Sequence, residues 1–282
     1  MCRLLALLIP TFLLSQDSRR ILVVTASSGD YVFAAGATIA AFVQQGWRVD
    51  VAQLANEEKM SAGLTPAQTR LANVQEGRAA AKLLGVTNVV MMDHKSGELA
   101  YVSSTEMRAQ LFALIRGIKP RILFIPDPYV HYQDDRDLYW TGKMSEEAWG
   151  YSGGATFANE LERMGFTPYG APEIFYYAAR PYRPGEGGEA WKARFIARDA
   201  GEFLEHKIQA AELLNTRNRA WTALRTGWFD DARVRSFVRA WITELAETIG
   251  SRHGLRYAEE FNHVGSPEPV PPYALDRARP RN

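Results

Sequence analysis

The chain has a single cysteine, Cys2, among 282 residues, so no disulfide framework and no cluster of thiolate ligands can form within it, whichever compartment it occupies. Histidine is scarce too. Five imidazoles are the whole supply, so each has to be weighed singly as a ligand or a packing residue. Charge of one sign is missing: 33 Lys and Arg against 32 Asp and Glu give a formal net charge of +1. Without a basic excess there is no electrostatic case for nucleic acid or an anionic lipid surface as partner. The longest apolar run, residues 4–14, is interrupted by Pro10 and too short to span a bilayer. Internal repeats are absent, and Ala34-Ala35-Gly36 lacks the glycine spacing of a dinucleotide phosphate turn.

What remains is an ordinary globular composition, 46% hydrophobic and 23% charged, sufficient over this length to bury one sizeable core. Residues 1–16, MCRLLALLIPTFLLSQ, place one early cation, Arg3, before the apolar run. That is the shape of a secretory signal peptide and points to a secreted or periplasmic protein, with a cytoplasmic or membrane-tethered chain as the alternative. Cys2 would leave with the signal, and no strong membrane association is expected afterwards. Residues 17–265 read as a single α/β domain and residues 266–282, with Pro267, Pro269, Pro271 and Pro272, as a Pro-rich tail.

The stretch 21–43, ILVVTASSGDYVFAAGATIAAFV, organises the domain. Residues 21–26 form an apolar, largely β-branched strand, and Val32, Ala35, Ile39 and Phe42 then recur at helical spacing. Strands over 48–55, 88–92 and 121–125 follow, separated by a helix capped at Thr65 and stopped at Leu84-Gly85 and by one capped at Ser103. Four strands alternating with three helices predict a Rossmann-like parallel sheet with helices on both faces. Further on, 146–164, 202–214 and 234–249 read as helices, 173–179 and 192–197 as strands, and 180–191 as a Pro/Gly loop. Loops 27–31, 93–98 and 127–142 share the carboxyl edge of such a sheet, where ligands collect.

The ILVV strand, the turn Ala26-Ser27-Ser28-Gly29-Asp30-Tyr31, the small-residue helix start at Ala34-Ala35-Gly36, Gly46-Trp47-Arg48-Val49, and the Arg70/Glu76 helix ending in Leu83-Leu84-Gly85 resemble the PIG-L/LmbE family of zinc-dependent de-N-acetylases, over roughly residues 20–145. The family's first hallmark is usually Ala-His-Pro-Asp-Asp-Glu. A branch that includes 4-oxalomesaconate hydratase uses an Ala-His-Ser-x-Asp-Phe/Tyr form, which this turn resembles more closely. The resemblance implies an LmbE-like fold and a metal-dependent deacetylase acting on C–N bonds other than peptide bonds. It also implies a His and an Asp on one turn as zinc ligands, a preceding Asp as base on a metal-bound water, and a second His after the fourth strand. Here the first His position is Ser27, the base position is Gly29, and Asp30 alone matches as a ligand. Asp137-Leu138-Tyr139-Trp140-Thr141-Gly142 places Leu138 at the second His, or Asp135 in another register.

Both histidine ligands of the resemblance are thus substituted. The expected pocket comprises Ser27, Ser28, Asp30, Tyr31, His94, His131, Tyr132, Asp134, Asp135, Asp137 and Trp140, with Asp30, His131 and Asp137 as candidate catalytic groups. No cofactor is expected if the site is degenerate; zinc is expected if ligands have moved to His94, His131 and the acidic loop. His206, His253 and His263 read as surface or packing residues, with His263 able to approach the pocket from the C-terminal side. Neither Ser27 nor Ser28 sits in a Gly-x-Ser-x-Gly elbow, so a serine nucleophile is not indicated. The reading is a non-catalytic binder of a glycan or polar small molecule. The alternatives are an active N-acetyl or amide hydrolase with relocated ligands, or a hydratase-like enzyme.

Overall fold

The computed structural model describes residues 19–131, 135–180 and 195–265. The expected signal peptide, the Pro-rich tail, Tyr132, Asp134 and the Pro/Gly loop beyond Arg180 lie outside the described residues. Within them, β1 (Arg20–Thr25) leads into α1 (Ser28–Gln44), β2 (Arg48–Ala55), α2 (Pro66–Leu83) and β3 (Asn88–His94). A 3-10 turn at Leu99–Tyr101 precedes α3 (Ser104–Ile118) and β4 (Ile122–Pro126). Then come α4 (Pro128–His131), α5 (Arg136–Ser152), α6 (Asn159–Arg163) and β5 (Glu173–Tyr177). The C-terminal part holds β6 (Phe195–Asp199), α7 (Leu204–Glu212), α8 (Asn215–Thr226), α9 (Asp231–Arg252) and β7 (Ala258–Val264).

The strands form one sheet in the order β3-β2-β1-β4-β5-β7-β6. The first five are mutually parallel, while β7 runs antiparallel to both β5 and β6. Alternation along β1 divides the core. Ile21 and Val23 face a cluster with Tyr31, Ile39 and Phe42 of α1, Ala80 of α2, Ile208 of α7 and Val238 of α9. Leu22 and Val24 face a second cluster with Met107, Leu111 and Ile115 of α3 and Leu138 and Met144 of α5. The sheet is therefore covered on both faces, as parallel strands buried on both sides require. Strand order reverses between β1 and β4, so the loops after these strands open a crevice at that switch point.

Three elements differ from the sequence expectation. The fifth helix starts at Arg136, not near 146, because Asp135 caps it by accepting from Leu138 N at 3.1 Å. Helix α8 and strand β7 lie where no element was expected. Gly150-Tyr151-Ser152-Gly153-Gly154 fits a nucleophile-elbow spelling, but it is the end of α5, where Ser152 O accepts from buried Arg116 at 3.0 Å. No described helix is long and apolar enough to cross a membrane.

Candidate functional site

The turn after β1 is built by its own side chains. Thr25 Oγ1 donates to Ser27 O at 2.7 Å, and the Asp30 carboxylate reaches back to accept from Ser27 N at 2.7 Å. Asp30 therefore closes the first turn of α1 on itself, where a negative charge is favoured by the helix dipole. Ser28 points the other way, donating to Glu57 Oε1 at 2.9 Å. Glu57 follows β2, is 1% exposed, and also accepts from Gln53 Nε2 at 2.9 Å. Its backbone is left-handed, with φ 57°, a conformation that costs a non-glycine residue about 1–3 kcal/mol.

One guanidinium binds these groups together. Arg217 of α8 donates from Nη1 to Ser27 Oγ at 3.0 Å, and its nitrogens lie 3.8 Å from Asp30 Oδ1 and 3.9 Å from Glu57 Oε1. It packs directly on the backbone of Gly29, so a Cβ built there would fall inside the guanidinium, with Arg217 Nε at 2.7 Å. The start of α8 is tied to α2 through Glu76, which accepts from Thr216 N at 2.8 Å and from Thr216 Oγ1 at 2.7 Å. Burial raises the Asp30 carboxyl to about 7; Arg217 opposes that shift and the Asp135 charge adds to it. Burial likewise raises Glu57, against Arg217 and its hydrogen bonds from Ser28 and Gln53.

A cleft of about 440 Å³ opens over this arrangement, within the range of small-molecule sites. Asp30, His131, Asp135 and Leu138 line it beside Gly29 and Arg217, and Phe33, Trp221, Arg225 and Trp241 form its outer wall. Leu138 is 3% exposed and belongs to the apolar core under the sheet. His131 Nε2 accepts from Ala179 N at 3.2 Å.

Other expected pocket residues are placed elsewhere. His94, on edge strand β3, contacts Gln110 Oε1 through Nε2 at 3.0 Å. Asp137 turns toward the loop after β3, accepting from Gly97 N and, at 3.3 Å, from Leu99 N. Trp140 packs on the core beneath the sheet and edge-on to Tyr139 at 5.4 Å. Tyr31 is 1% exposed in the opposite core, and Ser28 is buried against Glu57. His263 does not approach the cleft: it lies against Phe175 and 3.6 Å from Glu173, the first residue of β5 and so at the other end of the sheet. The His206 ring lies tilted 5.7 Å from Phe203, and His253 contacts Glu260 at 3.3 Å. Among the described residues no group of three or more His, Cys, Asp or Glu converges as metal ligands do.

Sequence reasoning missed Arg217, Glu57 and the aromatic wall. A signal for the arginine was present in principle: Gly29 leaves space at the turn, and buried carboxylates require a counter-ion.

Comparison with known proteins agrees with the fold. Residues 22–143 match the family model described as PIG-L, GlcNAc-PI de-N-acetylase. Diacetylchitobiose deacetylase of Thermococcus kodakarensis is 26% identical over 172 residues, 59% of this chain and 62% of that relative. The matched stretch thus spans under two thirds of the relative's length. The structure of N,N'-diacetylchitobiose deacetylase from Pyrococcus horikoshii superposes with a TM-score of 0.73 at 22% identity, covering 89% of this chain and 85% of that one. The 4-carboxy-2-hydroxymuconate hydratase of Pseudomonas putida gives 0.64 at 20% identity, covering 89% and 98%. At these identities the structural likeness speaks for the fold. Residues 22–143 thus match the PIG-L (LmbE-like) family model, and the strands and helices that follow complete an α/β fold like that of the superposed deacetylase.

Proposed function

We propose that this chain is a non-catalytic PIG-L/LmbE-like protein that binds a glycan or polar small molecule in the cleft over Asp30. The observation that carries this reading is the position of Arg217, seated on Gly29 and held by Ser27, Asp30 and Glu57. Zinc needs neutral imidazole, thiolate or carboxylate donors around an open position. At the corresponding places stand a serine hydroxyl that accepts from a guanidinium, a carboxylate engaged by Ser27 N and Arg217, and a core leucine. This donor set does not fit zinc, and a fixed positive charge at 3.8 Å from Asp30 opposes a second cation there. With no side chain at position 29, no base stands where the family resemblance places one.

A ligand-binding role is supported by what the cleft retains. Carboxylates of Asp30 and Asp135, the Asn218 amide and the indoles of Trp221 and Trp241 combine polar groups with flat apolar faces, the mixture that recognises hydroxylated rings. The two diacetylchitobiose deacetylases named above act, by their names, on an N-acetylated saccharide, which suggests a saccharide here. Export follows from the signal-like residues 1–16 and belongs to the same proposal; the mass of the mature chain tests it.

The test is a titration of indole fluorescence with N,N'-diacetylchitobiose and related saccharides, run beside an assay for acetate release. Saturable quenching without acetate release is expected. Chelator-sensitive release of acetate by the wild-type protein would overturn the reading.

A further inference from the structure

Among the described residues the cleft is lined by three guanidinium groups, Arg180, Arg217 and Arg225, against two carboxylates, Asp30 and Asp135. Two of the cations have protein acceptors. Arg217 is held by Ser27, Asp30 and Glu57, and Arg180 Nη2 donates to Val130 O at 3.2 Å. Arg225 differs: its guanidinium carbon lies 4.9 Å from the ring centre of Trp221 and 5.9 Å from that of Trp241, and among the described residues it has no carboxylate partner.

A guanidinium held over aromatic rings by its charge does not spend its N–H groups on them. The in-plane N–H groups of Arg225 then form a fork of the shape that carboxylate, sulfate and phosphate oxygens accept in pairs. The fork is also positioned, because the indoles beneath it are fixed. Trp221 meets Phe33 of α1 at 5.7 Å and 83°, and Trp241 of α9 at 5.2 Å and 88°. Asn218, Trp221 and Arg225 follow one another at three and four residues, hence on one face of α8, and all three line the cleft. Arg225 is itself exposed, and what sets it apart from an ordinary surface arginine is this double aromatic seat in the wall of a cleft.

We infer that the cleft takes a saccharide bearing an anionic substituent, its ring against Trp221 and Trp241 and its charge on the open edge of Arg225. This rests on the ligand-binding reading above and names the class of ligand. Phe33 and the indoles meet the C–H face of the ring, Asp30 and Asp135 accept from its hydroxyls, and Arg225 selects for the acid group. Carboxylate, sulfate and phosphate share the recognition chemistry, so separate probes must distinguish them.

The experiment is calorimetric and fluorescence titration of the full chain with trigalacturonate, N-acetylglucosamine 6-sulfate, N-acetylglucosamine 6-phosphate and neutral N,N'-diacetylchitobiose, each at low and high salt. At least one anionic saccharide should bind about tenfold or more tightly than the neutral one, with the advantage shrinking in high salt. Arg225→Gln should abolish that advantage, weakening the anionic saccharide at least about tenfold more than the neutral one. Arg225→Lys should keep part of it, and Trp241→Ala should weaken both kinds of ligand. Equal binding of neutral and anionic saccharides, unaltered by Arg225→Gln, would overturn the inference and leave the ligand-binding reading intact. No saturable binding of any saccharide by the wild-type protein would remove both.

Discussion

At Gly29 the lack of a side chain is a packing requirement, because the Arg217 guanidinium occupies the space a Cβ would need. The neighbouring Asp30 has an electrostatic consequence that can be measured. Its carboxyl is raised to about 7, chiefly by burial, so the folded protein holds a proton that the unfolded chain releases near pH 4. The group's stabilising contribution is therefore complete below about pH 4 and is lost as pH rises through about 7. Asp30→Asn should flatten the fall in stability across that interval, read from denaturant midpoints at a series of pH values. Arg217→Met removes the influence that lowers the carboxyl, and carbon NMR should find Asp30 titrating above 7 in that variant. An unchanged titration would mean that the guanidinium is not seated on this carboxylate in solution. The turn itself was readable in the sequence because Ser27, Gly29 and Asp30 are neighbours along the chain. Arg217 was not, since it reaches Ser27 across 190 residues and the space left at Gly29 does not say which cation fills it.

Helix α8 is the element on which this arrangement depends, and it carries little pattern to betray it. Its buried residues are Asn218, Ala220 and Thr222, so a search for apolar residues at helical spacing passes over it. Strand β7 was hidden for a related reason: Glu259 and Glu260 lie inside it and are buried, which breaks the apolar reading of a strand. By contrast β2 and α2 were legible almost to the residue, through the alternating RVDVAQLA and the Thr65-Pro66-Ala67-Gln68 cap. Glu76 fixes where α8 begins by accepting two hydrogen bonds from Thr216. Glu76→Ala should cost about 1.5–3 kcal/mol of stability, the range for hydrogen bonds to a charged acceptor. Loss of order at Arg217 should accompany it, seen as weaker saccharide quenching of the indoles. A variant with wild-type stability and quenching would show that α8 is placed by its other contacts alone.

Across the whole molecule the antiparallel C-terminal strands are locked to the first helix by buried charge. Lys207 Nζ lies 2.8 Å from Glu259 Oε1 with both side chains 1% exposed, and the same carboxylate accepts from Ala37 N at 3.0 Å and Thr38 N at 2.7 Å within α1. Glu259 of β7 thereby holds α1 and α7 in register beneath the site. Lys207→Met would strand that carboxylate without its cation, and a loss of about 3–5 kcal/mol is expected, measurable by chemical denaturation. A loss under about 1 kcal/mol would indicate that the backbone donors satisfy the carboxylate unaided. The α/β class and the parallel half of the sheet were legible from alternating strands and helices; this long-range pairing was not, because charged residues far apart in sequence announce no partner.

If Arg217 stands in place of a metal ion, as proposed, wild-type protein carries no zinc in the cleft, and metal content decides it. Elemental analysis of wild-type protein produced with added zinc and freed of loosely bound ions should find far less than one zinc per chain. Restoring donors alone, by Ser27→His, Gly29→Asp and Leu138→His together, should still fail, because the new aspartate would meet the guanidinium; adding Arg217→Ala should raise zinc toward one per chain. About one zinc per wild-type chain, resistant to mild chelation, would contradict the account.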